Sequence, residues 1–184
     1  MALSNSGIKT YQECPYKYKL TRIEHRQEPA GPAADRGKNI HYAFEQALEA
    51  LPMLPPEHSG WYSYIEELSK LKAKSEVEFA FTHDWQACGF KDDNAWIRGI
   101  FDVIYFVDDK AHVLDWKTGK ERDYSDQLKL YALAILTCYP HVNSVTTEIC
   151  FIDLNKQAQG VTYLRSQFTD LQSWLNNKIG RAHV

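Results

Sequence analysis

The order of patterns along the chain predicts an α/β fold with a central mixed β-sheet flanked by helices. Three observations carry this: helical apolar spacing over residues 38–51, a switch to period-two alternation at 76–81 followed by two more strand runs, and a return to helix at 123–139 before further strands. At 184 residues the chain has the length of one domain, and 44% hydrophobic with 24% charged residues is ordinary for a globular protein.

The elements follow in order. Ser4 to Ile23 reads as two short helices, with Ser4 as a cap and Cys14-Pro15 as the break between them. Glu28 to Asp35 contains Pro29, Gly31 and Pro32 and reads as a connecting loop. From Lys38 to Leu51, the residues Ile40, Ala43, Phe44, Ala47, Leu48 and Leu51 recur at three and four positions, as an amphipathic helix requires. Pro52, Pro55 and Pro56 end it, and Trp61 to Lys74 forms a second helix with Tyr64, Ile65, Leu68 and Leu71 on one face. Val77, Phe79 and Phe81 alternate with Glu76, Glu78 and Ala80 in the first strand. Trp96 to Val107 is the second strand, Asp108-Asp109-Lys110 a turn, and His112 to Lys117 the third strand. A helix over Asp123 to Tyr139 leads to a late hairpin, Val145 to Leu154 and Val161 to Leu164, and a last helix from Thr169 to Ile179.

Composition narrows the function. No apolar run approaches the 18 to 20 or so residues of a membrane helix, and the start lacks the basic and apolar regions of an export signal, so an intracellular, cytoplasmic location is expected. Cys14, Cys88, Cys138 and Cys150 are widely spread and form no CxxC pair, which argues against a disulfide framework and a structural zinc. The net charge of −3 hides an asymmetry: residues 1–40 hold seven Lys and Arg against four acids, so the remainder carries −6.

The residues able to do chemistry cluster late in the sheet. Asp115 and Lys117 are two apart at a strand end, so they share a face while Trp116 points away; the same pair also reads as a simple ion pair. Asp102 lies in the apolar run Ile100 to Phe106, on a strand that should pair with the one carrying Asp115. Its parity groups it with Ile100, Ile104 and Phe106, or else it marks a bend helped by Gly99. If the two acids converge, a cation or a proton must relieve their repulsion. His41 borders the buried stripe of its helix beside Phe44, Glu45 and Leu48, where a packed histidine is the plainer reading. Trp116 to Lys120 lacks the spacing of a phosphate loop, so no ATP site is implied.

Five blocks in order resemble the RecB-like branch of the PD-(D/E)xK nucleases, which includes the CRISPR-associated adaptation exonucleases and the nuclease domains of recombination helicases. They are Ser4 to Leu20 with Tyr11 and Cys14-Pro15-Tyr16; Gly37 to His41; Glu76 to Phe79; Gly99 to Asp102; and Asp115 to Lys120 followed by Gln127 to Tyr131. The resemblance implies a restriction-endonuclease-like core and a metal-dependent DNA exonuclease acting on single-stranded or frayed ends. It implies Mg²⁺ or Mn²⁺ held by His41, Asp102, Asp115 and the Trp116 carbonyl, with Lys117 beside the attacking water. Glu76 would be a further acidic residue, although Glu78 shares its strand face. Gln127 and Tyr131, four apart on one helix face, would turn to the site, while an ordinary amphipathic helix accounts for Tyr131 equally well.

Lys9, Lys17, Lys19 and Arg22 interleave with Tyr11, Tyr16 and Tyr18, a mixture suited to a single strand; the tyrosines could equally pack the first helices. The expected organisation is one domain over 1–184: a helical, DNA-gripping segment at 1–36, a catalytic core at 37–154, and a C-terminal hairpin strand and helix at 155–184. Many relatives pair a cysteine placed like Cys14 with three more near the C-terminus in an iron-sulfur cluster. No such group follows within residues 1–184, so either this is a cluster-free relative or the chain has been shortened; no cluster is expected in this chain. DNA is the expected partner, with proteins of recombination, repair or phage DNA metabolism as further ones. The competing readings are a structure-specific endonuclease and a non-catalytic DNA-binding or scaffolding module of the same fold.

Overall fold

The computed structural model describes residues 2–26, 31–50, 54–157 and 160–180. Helix α1 (Asn5–Glu13) starts where the Ser4 Oγ accepts the Gly7 N–H at 3.2 Å, and stops before Pro15. Pro15 occupies the first turn of α2 (Pro15–Tyr18), where its missing N–H costs nothing, and the Cys14 Sγ caps that turn by accepting the Lys17 N–H at 3.4 Å. A π-helical turn, Lys19–Ile23, continues it.

Helix α3 (Pro32–Ala50) begins six residues before Lys38. The expected loop over 28–35 is therefore corrected for 32–35, because proline is as acceptable at a helix start as in a turn. Residues 27–30, Leu51 and Pro52 lie outside the described residues. The expected helix over 61–74 is shorter and differently built: a 3₁₀ segment, Pro56–Trp61, runs into α4 (Tyr62–Lys70). Leu71, expected on the buried face, is exposed, and Lys72 takes a left-handed φ of 56° that reverses the chain.

Strands β1 (Lys74–Phe81), β2 (Ile97–Val107) and β3 (Lys110–Lys117) pair antiparallel in sequence order. Asp108, at φ 53°, forms the β2–β3 turn with Asp109. Lys110, expected in that turn, is already paired with Val107. Helix α5 (Ser125–Cys138) makes the crossover to β4 (Ser144–Phe151), which runs parallel to β3. The short β5 (Lys156–Gln157) and β6 (Val161–Leu164) pair antiparallel with β4, and α6 (Phe168–Gly180) closes the described chain. The β4 run ends at Phe151 rather than Leu154, because Ile152–Leu154 winds into a 3₁₀ turn. The mixed sheet and flanking helices are those the sequence predicts.

Helices cover both faces of the sheet. On one face Phe79, Phe81, Phe101, Ile104 and Val113 pack with α5 and α6. On the other, Val103, Leu114, Trp116 and Cys150 pack with Phe44, Leu48, Trp61, Ile65 and Leu68. Residues 130–137 of α5 are all buried, which explains why that helix is apolar all round.

The β2 strand does not alternate evenly. Phe101 and Ile104 pack into the same cluster, whereas Val103 packs into the opposite one. Asp102 therefore sits where the alternation breaks and does not share a simple face with Ile104, correcting the parity expected from sequence. Opposite this break on β1, Glu76 has a left-handed φ of 49°. Gly99 does not make the break. A Cβ there would lie 2.6 Å from the ring of Phe79, which is stacked on Phe101 at 4.4 Å and set edge-on to Tyr131. The ring is hemmed in, so Gly99→Ala is expected to cost about 1–3 kcal/mol of overpacking, read as a lowered denaturant midpoint with unchanged slope.

No helix among the described residues is long and apolar enough to cross a membrane.

Candidate active site

The chemistry-bearing side chains gather at the end of β3. Asp115 is 1% exposed, the deepest charge in the described structure. Its Oδ1 accepts the Gln127 Nε2 at 2.6 Å and lies 2.9 Å from the Tyr131 Oη, which is also 3.2 Å from the Ile100 carbonyl oxygen. Gln127 also donates to the Tyr131 Oη at 2.8 Å. The i, i+4 spacing on α5 thus delivers both side chains to one carboxylate oxygen. Asp115 Oδ2 is buried without an aligned hydrogen bond, and its counter-charge is the Lys117 ammonium, in direct ion-pair contact. Lys117 in turn lies over the Tyr124 ring, Nζ 5.2 Å from its centroid.

Trp116 takes the opposite direction, as alternation demands, and is buried among Phe44, Trp61 and Tyr64. Its backbone N–H donates to Asp102 Oδ2 at 2.8 Å. His41 reaches the same oxygen from α3, with Nδ1 at 3.5 Å. Continuing the strand registers by one step sets Asp102 opposite Asp115 on one side and opposite Glu76 on the other.

The electrostatics follow from this crowding. Burial, and then the Asp115 charge, hold the Asp102 carboxyl well above its ordinary range. Burial also raises Glu76, with Glu45 and Asp115 adding to it. Burial and Lys117 lower His41, which favours the neutral imidazole that a metal needs as a ligand. Burial raises the Tyr131 phenol far above its usual value, with Asp115 adding to it, so it remains a proton donor.

The structure joins Asp115, Lys117, Gln127 and Tyr131 into one network and His41 with Asp102 into a second, linked by the Trp116 backbone. It does not bring His41, Asp102 and Asp115 into one enclosing cluster. Among the described residues no three His, Cys, Asp or Glu side chains stand so as to hold a metal ion. Donors of the chain take up Asp102 Oδ2 and Asp115 Oδ1 instead, while Asp115 Oδ2 keeps only the Lys117 counter-charge. The donor set still fits a hard divalent cation: two carboxylates, a neutral imidazole, and a buried oxygen whose compensation is a single ammonium.

The N-terminal candidates are less open than their sequence suggests. Tyr18 is buried and meets Tyr11 edge-on at 5.4 Å, whereas Tyr16 is 67% exposed. Lys9 faces Glu13 at 4.0 Å, Lys19 faces Glu24 at 3.7 Å, and Arg22 donates to the Ser6 Oγ at 3.1 Å.

Sequence reasoning missed a clasp on the loop after β3. Arg36 on α3 donates two hydrogen bonds to Asp153, at 2.7 and 2.9 Å, and Asp153 Oδ2 accepts the Gly119 N–H at 2.7 Å. Gly119 carries a φ of 91°, a conformation glycine takes freely, and this was the one visible signal. The Arg36 hydrogen bond holds the Asp153 carboxyl below its ordinary 3.8, with the Gly119 N–H helping. A depressed carboxylate contributes stability above 3.8 and loses it as the pH falls through the folded-state value. The deficit of Asp153→Asn at neutral pH should therefore shrink in acid, with the two melting curves converging below 3.8.

A mixed sheet between two helical layers, with an acid-x-lysine at the end of its third strand, defines the restriction-endonuclease class of fold. The chain belongs to the PD-(D/E)XK nuclease superfamily, whose family model matches residues 2–74 and 56–184. Among solved structures it is similar in fold to the crystal structure of SSO0001, with a TM-score of 0.51 and 14% identity over 97% of this chain and 75% of that one. The curated proteins give no match.

Proposed function

We propose that the chain is a metal-dependent deoxyribonuclease of the RecB-like kind, an exonuclease that hydrolyses phosphodiester bonds at single-stranded or frayed DNA ends. The observation that carries this reading is the nearly inaccessible Asp115, compensated by Lys117 and held in place by Gln127 and Tyr131. A purely structural ion pair needs no second carboxylate and imidazole beside it, yet Asp102 and His41 adjoin this one.

His41, Asp102, Asp115 and the Trp116 carbonyl would hold Mg²⁺ or Mn²⁺, which when bound supplies a Lewis acid and an acidified water. Tyr131 and Gln127 donate to Asp115 Oδ1 and fix its orientation. Lys117 Nζ donates a hydrogen bond to the attacking water and offsets the charge gathering on the phosphate oxygens. His41, kept neutral by burial, retains a ring nitrogen free to bind. The exposed Tyr16 offers a stacking surface for an unpaired base, and the backbone rather than the sequence of the strand is gripped. Glu76 completes the acidic row across the sheet.

The test is digestion of a single-stranded oligonucleotide labelled at either end, with Mg²⁺, Mn²⁺ or chelator, beside a circular single strand. Metal-dependent shortening of the linear strand alone supports the proposal. Cutting of the circle overturns the end requirement, and no cutting under any metal overturns the enzyme.

A further inference from the structure

We propose that the cavity between α1, the start of α5 and α6 is a subsite for a nucleobase of the strand being cut, a reading that rests on the deoxyribonuclease assignment. The cavity has a volume of about 410 Å³, within the range of small-molecule sites and ample for one nucleoside. Its apolar wall is made by Ile8, Leu130, Leu175 and Trp174. Its polar wall carries the side-chain amides of Asn5, Gln12 and Gln127.

Charge decides the kind of ligand. Lys9 and Lys178 border the cavity, but Lys9 faces Glu13 and Lys178 is in direct contact with Asp126. Asp123 adds a further carboxylate on the same rim. A phosphate would meet more negative than positive charge here and is not the occupant. A neutral, flat, hydrogen-bonding ring is suited to it: the indole and aliphatic wall offers apolar area, and amides can both give and take hydrogen bonds at a base edge. Among the described residues, the Asn5 and Gln12 amides have no hydrogen-bond partner and are free to do so.

Position ties the cavity to the reaction. Gln127 lines it and also donates to Asp115 Oδ1. Tyr124 lines it while its ring lies under the Lys117 ammonium. A base seated here therefore places the neighbouring phosphate at the Asp115–Lys117 end, so base occupancy helps to set the register of the strand.

The experiment compares oligonucleotides carrying an abasic residue at each of the last three positions with the intact strand. At one position kcat/KM should fall roughly tenfold for the wild type. That difference should vanish in Gln12→Ala, an exposed change that leaves the core alone, and in Trp174→Ala once its circular dichroism matches. Equal rates for abasic and intact strands at all three positions would overturn the subsite while leaving the nuclease in place. Should no DNA be cut, titration with deoxyadenosine followed by calorimetry still decides the matter: binding weakened by Gln12→Ala sustains the subsite, and absent or unaltered binding removes it.

Discussion

Asp115→Asn is expected to lower DNA hydrolysis on the order of 10³-fold while leaving the fold intact. The carboxylate is 1% exposed and takes up Gln127, Tyr131 and Lys117 at once, so the isosteric amide keeps the volume and removes the charge. In the variant, the Lys117 ammonium loses its partner, and the Gln127 amide meets another amide rather than an anion. The first effect displaces the group that would act on the water, and the second loosens the side chain at position 115. Matching circular dichroism with rates near background would support the assignment. Undiminished digestion would move the chemistry away from the end of β3.

Lys117→Ala is expected to reduce kcat by about 10²–10⁴-fold with KM nearly unchanged, because in the proposed mechanism the ammonium acts on the reacting atoms more than on the bound strand. It should also destabilise the protein by about 2–4 kcal/mol, since it strips the counter-charge from a carboxylate that water barely reaches. Lysine is the more accessible partner, with 21% of its side chain exposed, so some solvent can enter and moderate that cost. DNA affinity lost in parallel with turnover would instead make Lys117 a binding residue, contrary to its proposed role.

Much of this centre could be read from the chain because it depends on short spacings. Two-residue alternation places Asp115 and Lys117 together and sends Trp116 into the opposite layer, and a four-residue step on α5 aligns Gln127 with Tyr131. The strands and the crossover helix likewise follow from local periodicity. What escaped were contacts between distant segments and departures from regular geometry. The break in alternation at Asp102 cannot be deduced from an apolar run, since it is set by which layer each neighbour enters. The start of α3 was hidden because a proline punctuates a loop and opens a helix with the same covalent constraint. The Arg36–Asp153 contact joins residues 117 positions apart, beyond any repeat that a sequence displays. Above all, no spacing tells which donor a carboxylate will choose, and Asp102 chose the Trp116 N–H.

The unbroken burial of residues 130–137 in α5 has a kinetic consequence. A stretch enclosed between sheet and α6 cannot unwind by itself, because doing so would flood both with water. Gln127 and Tyr131 ride on that helix, so the posture of Asp115 is set when the protein folds rather than at each encounter with a strand. In the proposed nuclease, the alignment of Asp115 would thus be inherited from the buried core, and turnover would not wait for it to assemble.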